Sequence, residues 1–357
     1  MNRDELEALI QSGEEGKGLD LRGLDLAGAD LSGGVFESTD FSGADLSGAT
    51  FRESMLNKCR FVGANLTGAV LQLTMLADAD FTDAVLRQAV LAAVKLARSK
   101  LDRADLGGAD LTIGNFAQVS LEGTRFTGAL FDRTAFLECT LKETDFRQTT
   151  LRQSTLMKVD FTTCLLDGTV FDMNLLAESR FAGMNLAQKR FARSVLMECD
   201  FTGADLTGAD LTQCNFKGAN LTSARLDGAQ VERGLFVEAN LTRATARGAR
   251  LRQALFVKAV LDGADLARAD LYQAIFHDSS VKGATVTGAE LTYADFSRAD
   301  LSGADLREST MFRAILGGVR ADRTLWPLSR ATALDYDPEL QRAAEWRRTH
   351  PLPQQRG

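Results

Sequence analysis

The sequence predicts a repetitive fold wound from five-residue units, each containing its own turn. Three observations lead there. From Leu21 to Leu316 an apolar centre stands at every fifth position without a slip, 60 in all, of which 35 are Leu and 20 are Phe. Neither regular element can keep such centres on one side. A step of five turns an α-helix by about 140°, and the period of two in a plain strand sends successive centres to opposite faces. Finally, Gly recurs two places after the centre, where a turn needs a positive φ.

The elements follow in order. Asn2 and Glu5 have capping-box spacing, and Leu6, Leu9 and Ile10 share one helical face, so a short helix is expected over residues 2–12. Ser12-Gly13 and the run EEGKG read as a linker, giving an N-terminal capping segment over 1–18. The run is not a phosphate loop, because it lacks the G-x-x-x-x-G-K-[ST] spacing. The repeat occupies 19–320, and a C-terminal cap 321–357. In that cap Asp337-Pro338 is a good N-cap followed by Pro at the first helical position. A helix over about 338–348 and a frayed PLPQQRG tail are expected there.

The unit itself, as in Ala204-Asp205-Leu206-Thr207-Gly208, resembles the A-(D/N)-L-x-x signature of the pentapeptide repeat family. The resemblance covers about 83% of the chain (296 of 357 residues). It implies an all-β fold, a right-handed quadrilateral parallel β-helix with four units per coil and about 15 coils, closed by short helical caps at both termini. At about 4.8 Å per coil the rod is roughly 70 Å long. It also implies that the centre and the residue two before it point inward while the other three face water.

The five cysteines, Cys59, Cys139, Cys164, Cys199 and Cys214, all stand two before a centre, where Ala, Ser, Thr, Gly and Val are the usual residues. They read as small buried fillers rather than redox or metal groups. Cys59, Cys139 and Cys199 share a side but lie about 14–19 Å apart, beyond disulfide reach. Three residues are odd in that slot: Asn174, Met184 and Lys189. A local bulge with Lys189 reaching outward is the expectation, and a small polar site the alternative.

Composition bounds the function. The chain has 357 residues, a net charge of −7 and 45% hydrophobic residues, the profile of a folded protein rather than a disordered one. No run of 18 apolar residues suggests a membrane span. The acidic, amphipathic start lacks the features of a secretory signal, so a cytoplasmic location is expected. Two separate histidines, no zinc spacing, no nucleophile elbow and no dinucleotide fingerprint leave neither a catalytic constellation nor a cofactor or metal site to expect. Asn replaces Asp before the centre at Asn65, Asn115, Asn185, Asn215, Asn220 and Asn240, which suits a repeated local hydrogen bond better than acid–base work.

Function should then lie where the four sides differ. On the side of Phe36, Leu56 and Leu76, 10 of 15 residues before the centre are apolar, against at most 4 on any other side. The residue after the centre repeats the bias, with 9 of 15. An outward apolar strip is expected, with Met55, Met75, Leu137, Met157, Leu175, Val195, Met197, Leu235, Val237, Leu255, Val257 and Ile275 as the candidate interface. Its partner would be another protein or a second copy, unless a terminal segment covers it. The Arg-rich side of Leu31 and Phe51 also carries nine outward acids, so it is no nucleic-acid stripe and no direct nucleic-acid binding is expected.

Two functions compete. One is a non-catalytic scaffold or adaptor. The opening LEALIQSGEEGKGLDLRGLDLAGADLSG resembles the start of pentapeptide repeat proteins encoded with bacterial type VI secretion systems, which would imply a role in loading or assembling secreted components. The other is a DNA mimic that binds DNA gyrase, as the resemblance to fluoroquinolone-resistance pentapeptide proteins implies. About 70 Å of B-DNA would carry about 40 charges, far more than this chain nets. A mimic confined to one side survives, because Asp25, Asp45, Asp105, Asp145, Asp205, Asp265 and Asp305 share it.

Overall fold

In the computed structural model, residues 1–336 are described. Most units turn in the same way. The amide of Ala29 donates to the carbonyl of Leu26 at 3.0 Å, and Gly28 between them has φ +66°, the geometry of a turn that requires a left-handed third residue. Between turns the backbone bonds to the chain twenty residues away. Leu26 donates to Asp45 at 2.7 Å and Asp45 donates back to Leu24 at 2.9 Å. Parallel pairing at this offset on four successive columns gives a β-solenoid with four faces. Its interior holds the centres and the small slot two before them, buried throughout almost all of the repeat.

The chain divides into two compact units, 1–182 with 189–200, and 183–188 with the chain from 201 onward. The first carries all the named strands: β1 Gly16–Lys17, β2 Val35–Glu37, β3 Met55–Asn57, β4 Met75–Ala77, β5 Lys95–Ala97, β6 Asn115–Ala117, β7 Leu130–Asp132, β8 Ala135–Leu137, β9 Thr150–Arg152, β10 Thr155–Leu156 and β11 Val170–Asp172. Strands β1–β6, β8 and β10 form one eight-stranded parallel sheet, and β7, β9 and β11 a second. The principal sheet thus spans eight turns, fewer than the expected 15 coils. Elsewhere single bridges replace three-residue strands, as at Leu175↔Val195 in the first unit and Leu235↔Leu255 in the second.

Helix α1, Arg3–Gln11, lids the first coil. Asn2 and Glu5 form a capping box, and Leu6 is fully buried. Arg3 donates to the carbonyls of Ala27 and Gly28 at 2.9 and 3.1 Å, and Glu7 accepts the Asp30 amide at 3.0 Å. These contacts satisfy edge groups that would otherwise stand open to another strand. The stretch read as a linker is already part of the sheet, because β1 pairs Gly16 with Phe36. Gly16 fills a centre position, and a Cβ there would meet the Phe36 ring at 2.5 Å. At the far end Leu334 closes on Ala314 and Leu316, preceded by a 3-10 turn over Leu328–Thr332. The helix expected over 338–348 and the tail after it lie outside the described residues.

Phenylalanine rings stack inside. In the second unit Phe216, Phe236, Phe256, Phe276 and Phe296 form a continuous column, with centroids 4.6–5.0 Å apart and planes within 6° of parallel. Aromatic pairs at this spacing add to the burial of each ring. The column is the floor beneath the Leu235–Ile275 stretch of the candidate face.

Candidate functional site

The face of Leu56 is built by alternation. Each centre points inward, so the residues on either side of it point out. In the first unit Met55, Met75 and Leu137 are 39%, 47% and 43% exposed. Met157, Leu175, Val195 and Met197 are half-buried there, as are Leu235, Val237, Leu255, Val257 and Ile275 in the second unit. None of the twelve belongs to the core. The first unit's face is not apolar throughout: Lys95 and Asn115 stand exposed on it, and Glu37, Asn57 and Thr155 are half-buried there.

Periodicity around the centres misses one column. Leu73, Ile113 and Met173 occupy the corner next to this face and are 45%, 51% and 37% exposed. They sit at the third turn position, with φ of +60°, +60° and +58°. Left-handed backbone costs an L-residue roughly 1–2 kcal/mol, and a β-branched side chain is a true outlier there. Ile113 is the sole β-branched residue with positive φ among the described residues. Burial of its side chain within the chain does not offset that strain. The available signal was a large apolar residue where other units place Gly.

The remaining singled-out residues are structural. Hydroxyls in the inward slot donate to the carbonyl 23 residues back, as Thr39 does to Gly16, Ser54 to Leu31 and Thr74 to Phe51, at 2.7–2.8 Å. Cys59, Cys139, Cys164 and Cys199 make the same contact through sulfur at 3.0–3.7 Å. None of the five cysteines forms a disulfide. Burial pushes Cys59 and Cys139 up to about 11 and Cys164 and Cys199 up to about 12, the opposite of a reactive thiolate. Asn174 is buried and bonded at both ends of its amide. Met184 and Lys189 are half-exposed, each in its own unit. Among the described residues no cluster of His, Cys, Asp and Glu could hold a metal ion, and no helix is long and apolar enough to cross a membrane.

Aspartates before the centre fold onto their own backbone. Asp25, Asp40 and Asp45 each accept the amide two residues on, at 2.9–3.1 Å, and Asn65, Asn215 and Asn240 do likewise. Most of the acidic column proposed to imitate DNA is also met by arginine. In the first unit Asp105 pairs with Arg87 and Asp145 with Arg147, each at 2.7 Å. In the second, Asp205 pairs with Arg225 at 3.5 Å, and Asp265 and Asp305 pair with Arg247 and Arg307 at 2.6 Å. Asn65, Val85 and Arg125 stand between the acids. A duplex offers unbroken charge at about 1.7 Å spacing, which such a column does not reproduce. Burial drives the Asp145 carboxyl up, but hydrogen bonds from the Arg147 side chain and backbone outweigh it and hold it below the usual range.

A family model described as pentapeptide repeats, in 8 copies, matches residues 115–153, 175–213, 199–236, 239–278 and 279–318. A second, described as a pentapeptide repeat region, matches residues 35–111. No curated protein sequence matches the chain. Similar solved structures include HetL, a pentapeptide repeat protein involved in heterocyst differentiation regulation from the cyanobacterium Nostoc sp. strain PCC 7120. It is 25% identical, with 80% of this chain and 97% of that one covered and a TM-score of 0.21. Trypsin-treated QnrB1, a plasmid-mediated fluoroquinolone resistance protein, is 21% identical over 57% of this chain and 90% of its own, with a TM-score of 0.29. A pentapeptide repeat protein from the Arabidopsis thaliana thylakoid lumen is 28% identical over 37% and 71%, with a TM-score of 0.15.

Proposed function

The chain belongs to the pentapeptide repeat family, and from that premise we propose that it is a non-catalytic protein-binding scaffold or adaptor that acts in the cytoplasm through the outward apolar face of Leu56. One observation carries the reading. Met55, Met75 and Leu137 are large, exposed and on one face, and the strained, exposed Ile113 lies at its edge. Apolar patches of this kind mark protein contacts, and methionine adapts its shape to a partner. The resemblance of the opening residues supports a place beside bacterial type VI secretion, in the loading or assembly of secreted components. The arginine-paired acidic column gives no support to a gyrase-binding DNA mimic.

The test is the double variant Leu175→Asp, Val237→Asp, with the more exposed Met75→Asp as a second variant that spares packing. Mass in solution and co-purification of partners from the host are measured against the unchanged chain, with melting as a check on folding. Loss of an associated species in folded variants supports the reading. Unchanged mass together with unchanged partners ends it.

A further inference from the structure

Resting on that reading of the Leu56 face, we propose that its occupant is a second copy of this chain. The first units would pair side by side and parallel, about a two-fold axis running along the solenoid. Three features of that unit point to this arrangement.

The first is shape. At six successive levels of the face, from Met75 to Ala177, a larger outward residue on one side of the centre accompanies a smaller one on the other. Met75 stands beside Ala77, Lys95 beside Ala97 and Asn115 beside Ala117. The order then reverses, with Ala135 beside Leu137 and Thr155 beside Met157, and returns with Leu175 beside Ala177. A two-fold axis along the solenoid keeps each residue at its own level and exchanges left for right. At these six levels each larger side chain then faces the smaller residue of the partner copy, Met75 over Ala77, Leu137 over Ala135 and Leu175 over Ala177, while Met197 meets Val195. This interdigitation matches the close packing of protein interfaces.

The second is charge. The face is bounded by two corner columns, one three residues before each centre and one two after it. At the levels of the first unit where both corners are charged, the signs are opposite: Glu53 with Lys58, Arg133 with Glu138, and Arg193 with Glu198. All six side chains are exposed. Among the described residues none of these three pairs is an ion pair within the chain; Glu53, Arg133 and Arg193 instead touch Arg52, Asp132 and Asp172 beside them. The same axis brings Arg133 of one copy against Glu138 of the other, and Glu138 against Arg133. An antiparallel pair, with its axis across the face, would set each corner column against itself in reverse and would part Arg133 from Glu138.

The third is extent. From Val35 to Val195 the bridges climb eight steps of about 4.8 Å, so the face runs for about 38 Å along the solenoid without a break in register.

The test is sedimentation equilibrium on the full chain, the charge reversal Arg133→Glu, and the double reversal Arg133→Glu, Glu138→Arg. The chain of 38.7 kDa is expected to sediment at about twice its mass, since two-fold pairs are the commonest assemblies. Arg133→Glu sets Glu against Glu at two symmetry-related places and is expected to raise the dissociation constant by about tenfold or more. The double reversal restores opposite signs and is expected to recover the original value. Glu53→Lys with and without Lys58→Glu repeats the cycle at a second level. A dimer insensitive to the single reversals, or not recovered by the double ones, overturns the parallel arrangement. A chain that stays monomeric while Met75→Asp abolishes capture of a host protein overturns the second-copy occupant and leaves the binding face intact. A monomer whose partners are untouched by Met75→Asp defeats both.

Discussion

The Asn174 side-chain amide donates to the carbonyl oxygen of Leu151 at 2.9 Å, while its own oxygen accepts the amide of Ser154 at 2.8 Å. Asn174 thereby makes the 23-residue contact that Thr and Ser make elsewhere in the slot, and a second one besides. Asn174→Ala leaves the buried Ser154 amide without its partner and removes one bond to the Leu151 carbonyl, and is expected to cost about 1–3 kcal/mol. Asn174→Ser retains the donor and should lose less. Thermal or urea melts of the two variants decide this, and equal losses would count against the hydrogen-bond account.

The cysteines should be silent in the folded chain. The thiols of Cys59, Cys139, Cys164 and Cys199 are raised to about 11 or 12 by burial, so a thiol-reactive disulfide at pH 8 is expected to label the fully buried ones at the rate of unfolding. Half-buried Cys139 reacts first. The sign of the pH effect follows. An acid whose folded value lies above its unfolded one, about 8.5, contributes fully below that pH and loses its contribution as pH rises toward 11–12. Stability should fall in that alkaline window, and fall less after Cys164→Ser with Cys199→Ser.

Carboxylates set the opposite limit. The Arg22 side chain holds Asp20 down to about 2, and Arg307 and Arg298 lower Asp305 and Asp278. Groups depressed in the folded state stabilise it above their unfolded value, about 3.9, and lose that contribution as pH falls through the folded value. Melting temperature should respond to these groups from about pH 4 down toward pH 2 and stay level with respect to them between pH 5 and 7. Melts at pH 7, 5, 4 and 3 check the window, and a decline beginning near pH 6 would point to other groups.

Ile113 separates stability from binding. Ile113→Gly removes a left-handed β-branched residue that is 51% exposed, and relief of roughly 1–2 kcal/mol of backbone strain opposes the greater freedom glycine gives the unfolded chain. The melting temperature is expected to hold or rise while association through the Leu56 face weakens. A drop in melting temperature would mean that Ile113 serves the fold rather than the interface.

The inward half of the molecule was readable because geometry repeats it. Only a turn in every unit can keep Leu206, Leu211 and Phe216 all pointing inward at five-residue steps. The outer half was readable only in part. Alternation about the centre places Met55 and Leu137 outside, but it does not reveal Leu73, Ile113 and Met173, because turn positions are ordinarily polar or Gly and their neighbours in sequence lie on different faces. Contacts at long separation were also hidden. The grip of Arg3 on Ala27 and Gly28 joins a helix to a coil 24 residues away, and Gly16 reads as linker until Phe36 is seen to fill its place. Nothing in the five-residue beat marks the division into two units near residues 183–200.

Methionine footprinting tests the central claim most directly. Met55 and Met75 are 39% and 47% exposed and Met1 is 50% exposed, so on geometry alone peroxide should convert all three to sulfoxide at similar rates. If the Leu56 face is the surface at which this chain meets its partner, Met55 and Met75 will be protected relative to Met1 in the assembled protein, and that protection will vanish in the Arg133→Glu variant or on dilution. Oxidation of Met55 and Met75 as fast as Met1 at every concentration and in the native extract would show that the face stays open to water.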